Sequence, residues 1–113
     1  MTDEFIGKVF EMISSAGTAR SKYIEAVNLA KQDRFEEAQT MVKEGGEHFL
    51  AAHNIHAEML AEESAQVEKE GVEKTVSLIL VHAEDQMMCA ETFRLISEEL
   101  IDVYKKMKEQ RGE

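Results

Sequence analysis

The sequence contains no proline, no tryptophan and only one cysteine, and its aromatic residues make up 6% of the chain. Without proline nothing fixes a break inside a helix, and the abundant Ala, Glu, Lys, Met and Leu are typical of all-α proteins. Cys89 cannot form a disulfide within the chain, which agrees with a cytoplasmic location. We interpret Cys89 as a small core residue, because its neighbours in sequence are apolar.

Long apolar runs and basic residues are also scarce. No run approaches the roughly 18 apolar residues of a membrane span, and the acidic segment Thr2–Glu4 does not resemble a signal peptide. The chain has 13 Lys and Arg against 23 Asp and Glu, a formal net charge of −10. This charge argues against binding to nucleic acid or to an anionic membrane surface. We therefore expect residues 1–113 to form one cytoplasmic domain.

Several common active-site motifs are missing as well. The Gly45-Gly46 pair is not followed by Lys-Ser/Thr, so it is not a phosphate-binding loop. None of the four histidines follows a glutamate by three residues, which excludes the paired Glu-x-x-His motifs of di-iron bundles. His53 and His56 have a spacing that could place both on one metal ion. A metal-binding bundle built on these two residues therefore stays open as an alternative function.

Three stretches have the apolar spacing of amphipathic helices. We predict helices over residues 3–31, 35–63 and 75–108, and hence an all-α antiparallel three-helix bundle. The short first connection predicts that the first two helices are antiparallel neighbours. Asp33, followed by Glu36, is the predicted cap of the second helix. The apolar stripe keeps its phase across Gly45-Gly46, which favours a helix that continues through the pair.

The run of small residues in the first helix, the second connection and the tail lead to further expectations. Gly17 lies in a run of small residues, which favours the close approach of another backbone. Arg20 in the same run could contact a phosphate, although a solvated charge is the commoner case. We expect residues 64–74 to form a connection without helical structure, and the tail from Glu109 onward to fray.

The stretch from Val76 to Ile96 is unusually apolar for so charged a chain. At about 100° per residue, one face carries apolar residues that suit packing within the bundle: Ile79, Ala83, Ala90, Phe93, Leu100 and Tyr104. The other side is also apolar, which the solvent-facing side of a monomer does not require: Leu80, Val81, Met87, Met88 and Leu95. We therefore predict that the first half of this helix forms an interface between subunits.

His82 and Asp85 are polar residues inside this apolar half. Three positions apart on a helix, they can be neighbours, and burying them is costly unless they are paired or used. The simplest interpretation is a core histidine with a hydrogen-bonded partner. However, an imidazole is also a competent nucleophile near neutral pH. It can accept a phosphoryl group and pass it on, and such a relay needs little more than an accessible ring nitrogen.

The segment Val76-Ser77-Leu78-Ile79-Leu80-Val81-His82-Ala83-Glu84-Asp85 resembles the signature of the lactose/cellobiose-specific enzyme IIA of the bacterial phosphoenolpyruvate-dependent sugar phosphotransferase system. Ala19-Arg20-Ser21, Phe35-Glu36-Glu37-Ala38 and Ala52-His53 extend the likeness to the first two helices. The resemblance covers about residues 5–108.

The resemblance implies a homotrimer in which His82 takes a phosphoryl group from the phosphocarrier HPr. The cognate enzyme IIB, which works with a membrane component IIC, would then receive the group on a cysteine for uptake of a β-linked disaccharide of the lactose, cellobiose or chitobiose class. The resemblance also implies that three copies of Asp85 hold one divalent cation, usually magnesium, on the threefold axis. Mg²⁺ prefers oxygen ligands, and a ring of carboxylates would repel without a cation.

The sequence departs from the family pattern at three places. Glu84 replaces the usual Gln and adds a negative charge near His82. Gln86 replaces a second His, and His56 replaces a frequent Gln in the second helix. A structural or regulatory helical trimer without phosphotransfer is therefore a second alternative, which transfer from HPr would distinguish.

Overall fold

The computed structural model describes residues 2–71 and 76–113, which form three helices. They are α1 (Asp3–Lys31), α2 (Phe35–Glu70) and α3 (Leu78–Gln110). The side chain of Thr2 caps α1, because its Oγ1 accepts a hydrogen bond from the backbone N–H of Phe5 at 3.1 Å. The all-α class, three helices and the predicted bounds of the first helix are confirmed.

The bundle is long and narrow, with extents of 64 × 22 × 19 Å. α1 is its central helix and packs against both others, whereas α2 and α3 share a smaller contact. α1 and α2 are antiparallel, since Lys22 Nζ lies 3.3 Å from Glu44 Oε2 and Lys8 Nζ lies 3.5 Å from Glu62 Oε1. α3 runs parallel to α1, since Phe5 and Leu80, which lie near the starts of the two helices, line one cleft.

Small side chains along α1 allow this close packing. Three alanines and Tyr23 are fully buried along the α1 stripe that extends from its middle to its end, and Ala16 is almost so: Ala19, Tyr23, Ala26 and Ala30. Gly45 on α2 meets this stripe where a Cβ would lie 2.6 Å from the Tyr23 ring. Because real Cβ contacts are never that short, only glycine fits there. α2 continues through the Gly45-Gly46 pair, as predicted.

The predicted close approach at Gly17 is wrong within one chain. A Cβ there would meet nothing within 4 Å, because Gly17 faces an open groove on the outside of α1 with Ser14 and Arg20. The close approach lies instead at Gly45.

The prediction that Asp33 caps α2 is wrong. The capping position is Arg34, and Asp33 has a φ of 62°. Aspartate tolerates this left-handed conformation better than most residues. Both Asp33 carboxylate oxygens accept hydrogen bonds from Arg111 Nη2, at 3.2 and 3.3 Å. The tail is therefore tied to the α1–α2 turn, and α3 extends to Gln110 rather than to residue 108.

The second helix is longer than predicted. Residues 64–70 continue α2, and the helix ends at Gly71, which has a φ of 86°. This segment has no apolar stripe because it is almost entirely exposed, so periodicity could not detect it. Glu, Gln, Ala and Lys are good helix formers, which is enough to prolong a helix that packing has already started. The predicted start of the third helix at Thr75 lies outside the described residues; α3 begins at Leu78, with Ser77 at its N-cap position.

Candidate functional site

α3 has one face in the core and another without a partner in the chain. The core face consists of Ala83, Met87, Ala90, Ser97 and Ile101. Directly opposite lies a stripe that we call the outer seam, whose positions alternate in steps of three and four: Leu78, Val81, Asp85, Met88, Thr92 and Leu95. Its apolar members are 47–84% exposed. Steps of three and four residues are the spacing by which helices of separate chains pack side by side.

The outer seam confirms part of the predicted apolar back of this helix and corrects the rest. Val81, Met88 and Leu95 are exposed as predicted, whereas Met87 is only 3% exposed. Met87 lies four residues after Ala83 and three before Ala90, so it shares their face. Cys89 is exposed, which makes its interpretation as a core residue wrong for a single chain.

His82 and Asp85 are both exposed and lie on the outer side of α3. Asp85 occupies the seam itself, between Val81 and Met88. His82 lies on the flank of the seam, one turn before Asp85 and about 60° around the helix. The imidazole is therefore accessible to a macromolecular partner, and it is not the buried core histidine of the simplest interpretation.

Glu84 lies on the other flank of the seam and contacts the second helix. Its Oε1 atom is 3.1 Å from Nε2 of His56, and the two side chains are 41% and 17% exposed. This distance is within hydrogen-bond range. Both residues are predicted departures from the family pattern, but no local pattern in the sequence indicates that they contact each other.

His53 and His56, the alternative metal-binding pair, do not face a common site. His56 faces Glu84, whereas His53 is exposed and stacks on Phe49 with 6.1 Å between ring centroids. Among residues 2–71 and 76–113, the single chain has no group of three or more His, Cys, Asp and Glu that could hold a metal. Arg20 is exposed on α1.

A cleft that no sequence pattern indicates lies at the end of the bundle where the starts of α1 and α3 meet α2. It has a volume of about 250 Å³ and is lined by Phe5, Lys8, Met59 and Leu80 among others. Burial lowers the pKa of Lys8, but the carboxylates of Glu58, Glu62 and Glu4 outweigh this effect and raise the pKa above its ordinary value. Lys8 thus stays charged and ties α1 to α2.

Fold and site together define a small helical domain that presents an imidazole, that of His82, on an exposed face of α3. A model of the family described as "PTS system, Lactose/Cellobiose specific IIA subunit" matches residues 7–105. The chain belongs to this family. It is therefore a IIA component of a sugar phosphotransferase system, with a role in phosphoryl transfer.

Individual relatives agree with this membership. The chain is 34% identical over 113 residues to the lichenan-specific phosphotransferase enzyme IIA component of Bacillus subtilis, covering 99% of this chain and 97% of that protein. It is 34% identical over 97 residues to the lactose-specific EIIA component of Staphylococcus epidermidis, covering 86% and 88%. The crystal structure of the cellobiose-specific enzyme IIA from Bacillus anthracis superposes with a TM-score of 0.81 at 32% identity, covering 96% and 94%.

Within the described ranges, none of the helices is long and apolar enough to cross a membrane.

Proposed function

We propose that His82 is the phosphoryl carrier of this protein, and that it receives the group from HPr and delivers it to a cysteine of the cognate enzyme IIB. The observation that carries the proposal is the exposed imidazole on the flank of the outer seam. A donor and an acceptor that are themselves proteins can reach a side chain at such a surface, whereas a deep pocket would exclude them.

The two transfers balance as follows. A ring nitrogen of His82 attacks the phosphorus of the HPr phosphohistidine, so one P–N bond forms while the other breaks, and HPr recovers a neutral imidazole after taking up a proton. In the second transfer the thiolate of enzyme IIB attacks the same phosphorus, a P–S bond forms as the P–N bond to His82 breaks, and His82 recovers its neutral imidazole, any proton that its ring needs coming from solvent. His82 needs no separate base for this, because the unprotonated nitrogen is already nucleophilic.

We further propose that three copies assemble through the outer seam. Its three-and-four spacing suits parallel helices around an axis, and its exposed Leu78, Val81, Met88 and Leu95 would be covered there. Each copy would then direct its Asp85 toward the axis. Three carboxylates suit a hard divalent cation such as Mg²⁺, which would neutralise their mutual repulsion. We propose that the three carboxylates come from three copies, since the described part of one chain has no such cluster of its own.

The sugar is expected to be a β-linked disaccharide of the lactose, cellobiose or chitobiose class, taken up through the membrane component IIC that works with enzyme IIB. The relatives named for lichenan, lactose and cellobiose support a carbohydrate of this general kind.

The test is intact-mass measurement after incubation with phosphoenolpyruvate, enzyme I and HPr. We expect one added phosphate on the wild type, stable above about pH 8 and lost in acid, as for a phosphohistidine. His82→Ala should gain none while it keeps its helical circular dichroism. His48→Ala is the matched control, because His48 is an exposed histidine of α2, and it should be phosphorylated normally. Retained phosphorylation of His82→Ala would refute the assignment.

A further inference from the structure

The pair formed by His56 and Glu84 lies beside the proposed carrier site once copies are placed around the outer seam. His82 and Glu84 are two residues apart, about 200° around α3, so they occupy opposite flanks of the seam. Around a common axis, one flank of each parallel helix faces the other flank of the next. His82 of one copy therefore faces Glu84 of its neighbour, an arrangement that rests on the proposed function.

A carboxylate at this place opposes the reaction. A phosphoryl group on His82 carries between one and two negative charges near neutral pH, and the Glu84 carboxylate is only partly exposed, so water screens it incompletely. Unless it is neutralised or turned away, Glu84 disfavours the phosphorylated form.

His56 provides both remedies. Its Nε2 atom lies 3.1 Å from Glu84 Oε1, and its side chain is only 17% exposed, so it is held in place by the surface of α2 and α3. An imidazolium there donates a hydrogen bond to the carboxylate and cancels its charge. The pair joins residues that are 28 positions apart in the chain, so it depends on the packing of α2 against α3.

We propose that His56 is a positioning residue for phosphoryl transfer: it holds the Glu84 carboxylate against α2 and neutralises it, so that the neighbouring copy's His82 can carry the phosphoryl group. Glu84 is tolerated in this protein because His56 accompanies it. The pair acts through charge at the site, and neither residue forms a bond to phosphorus.

The test compares the wild type with His56→Gln, Glu84→Gln and the double variant. We would measure the rate of phosphorylation by phosphorylated HPr and the equilibrium fraction phosphorylated. His56→Gln should lower both about tenfold because an uncharged amide does not neutralise the carboxylate. Glu84→Gln should stay within about twofold of the wild type, and the double variant should be rescued to the level of Glu84→Gln. His56→Lys, which restores a cation, should transfer better than His56→Gln.

Control measurements separate this role from a structural one and from the carrier assignment. His53→Gln, one turn earlier on α2, is the matched exposed control and should behave as the wild type. All variants should keep the wild-type melting temperature to within a few degrees. A His56→Gln variant as active as the wild type, or a double variant as impaired as His56→Gln, overturns the role of His56 alone. A wild type that gains no phosphate overturns the carrier function and this inference together.

Discussion

At the scale of single residues, the core contains polar groups that packing alone does not explain. Tyr23 and Ser97 are fully buried, and neither hydroxyl has a hydrogen-bond partner among the described residues. Burial raises the pKa of the Tyr23 hydroxyl; Arg94 opposes the rise, and Glu91 and Glu98 add to it. A buried phenol that resists ionisation links stability to alkaline pH.

The prediction at this scale concerns Tyr23→Phe, which removes the buried hydroxyl. An unfolded tyrosine ionises near pH 10, whereas the folded Tyr23 does so at higher pH, so the unfolded state binds fewer protons in between. The contribution of Tyr23 is therefore fully present below about pH 10 and is lost as pH rises through the folded pKa. Denaturant unfolding at several pH values should show Tyr23→Phe gaining stability relative to the wild type above pH 10. A constant difference would show that the phenol ionises equally in both states.

The residue types of the candidate site could be predicted from sequence, but their surroundings could not. His82 and Asp85 stand out because they interrupt an apolar stretch. The contact between His56 and Glu84 depends on the register in which α2 packs along α3. No local pattern in a single sequence specifies that register. The exposure of Cys89 could not be predicted for a related reason: apolar neighbours in sequence do not show which side of a helix is covered.

At the scale of helices, the central question is how α2 can approach α1 so closely. Gly45 is buried against the Tyr23 ring, whereas Gly46 next to it has nothing within 4 Å of its Cβ position. The two glycines therefore have opposite roles in the same helix. One is required by a contact, and the other only weakens the helix.

Alanine substitutions at this pair should shift stability in opposite directions. Gly45→Ala forces the buried Tyr23 ring or the helix to move and should lower the free energy of unfolding by about 1–3 kcal/mol. Gly46→Ala should raise it by up to about 1 kcal/mol, because alanine is the better helix former. Thermal and denaturant unfolding of the two variants measures both. Equal effects at the two positions would contradict the close approach described for Gly45.

Helix interiors can be predicted from apolar spacing, and helix ends less so. The bounds of α1 and the passage of α2 through Gly45-Gly46 agree with the sequence, since a buried stripe leaves a periodic trace. The last turns of α2 leave none because solvent surrounds them. The hydrogen bonds between Arg111 and Asp33 could not be predicted either, since they join the tail to a turn 78 positions earlier in the chain.

At the scale of the whole molecule, the outer seam is an apolar surface that the described residues of one chain leave exposed. It exposes four large apolar residues in a row with a carboxylate among them, and a net charge of −10 per chain opposes association. Assembly through the seam therefore has to combine apolar burial with relief of charge at Asp85.

Asp85→Leu tests this balance. Leucine removes the like charges from the proposed axis and adds apolar surface to the seam, so the proposed trimer should persist or tighten while the proposed binding of Mg²⁺ is lost. Sedimentation equilibrium and metal analysis of the purified protein measure the two effects separately. Glu47→Leu, on the exposed side of α2, should alter neither. Dissociation of Asp85→Leu into monomers would show instead that the metal-bridged carboxylates hold the copies together.

The elongated outline of the single chain has a consequence for how that assembly must be measured. Its radius of gyration is 18.1 Å, whereas a compact chain of this length has one of about 13 Å. A lone chain therefore diffuses like a considerably heavier sphere. Three such rods side by side triple the mass without lengthening the particle, so their friction rises less than their mass. Elution volume alone would understate the difference between one copy and three, and only methods that weigh the particle directly can count its chains.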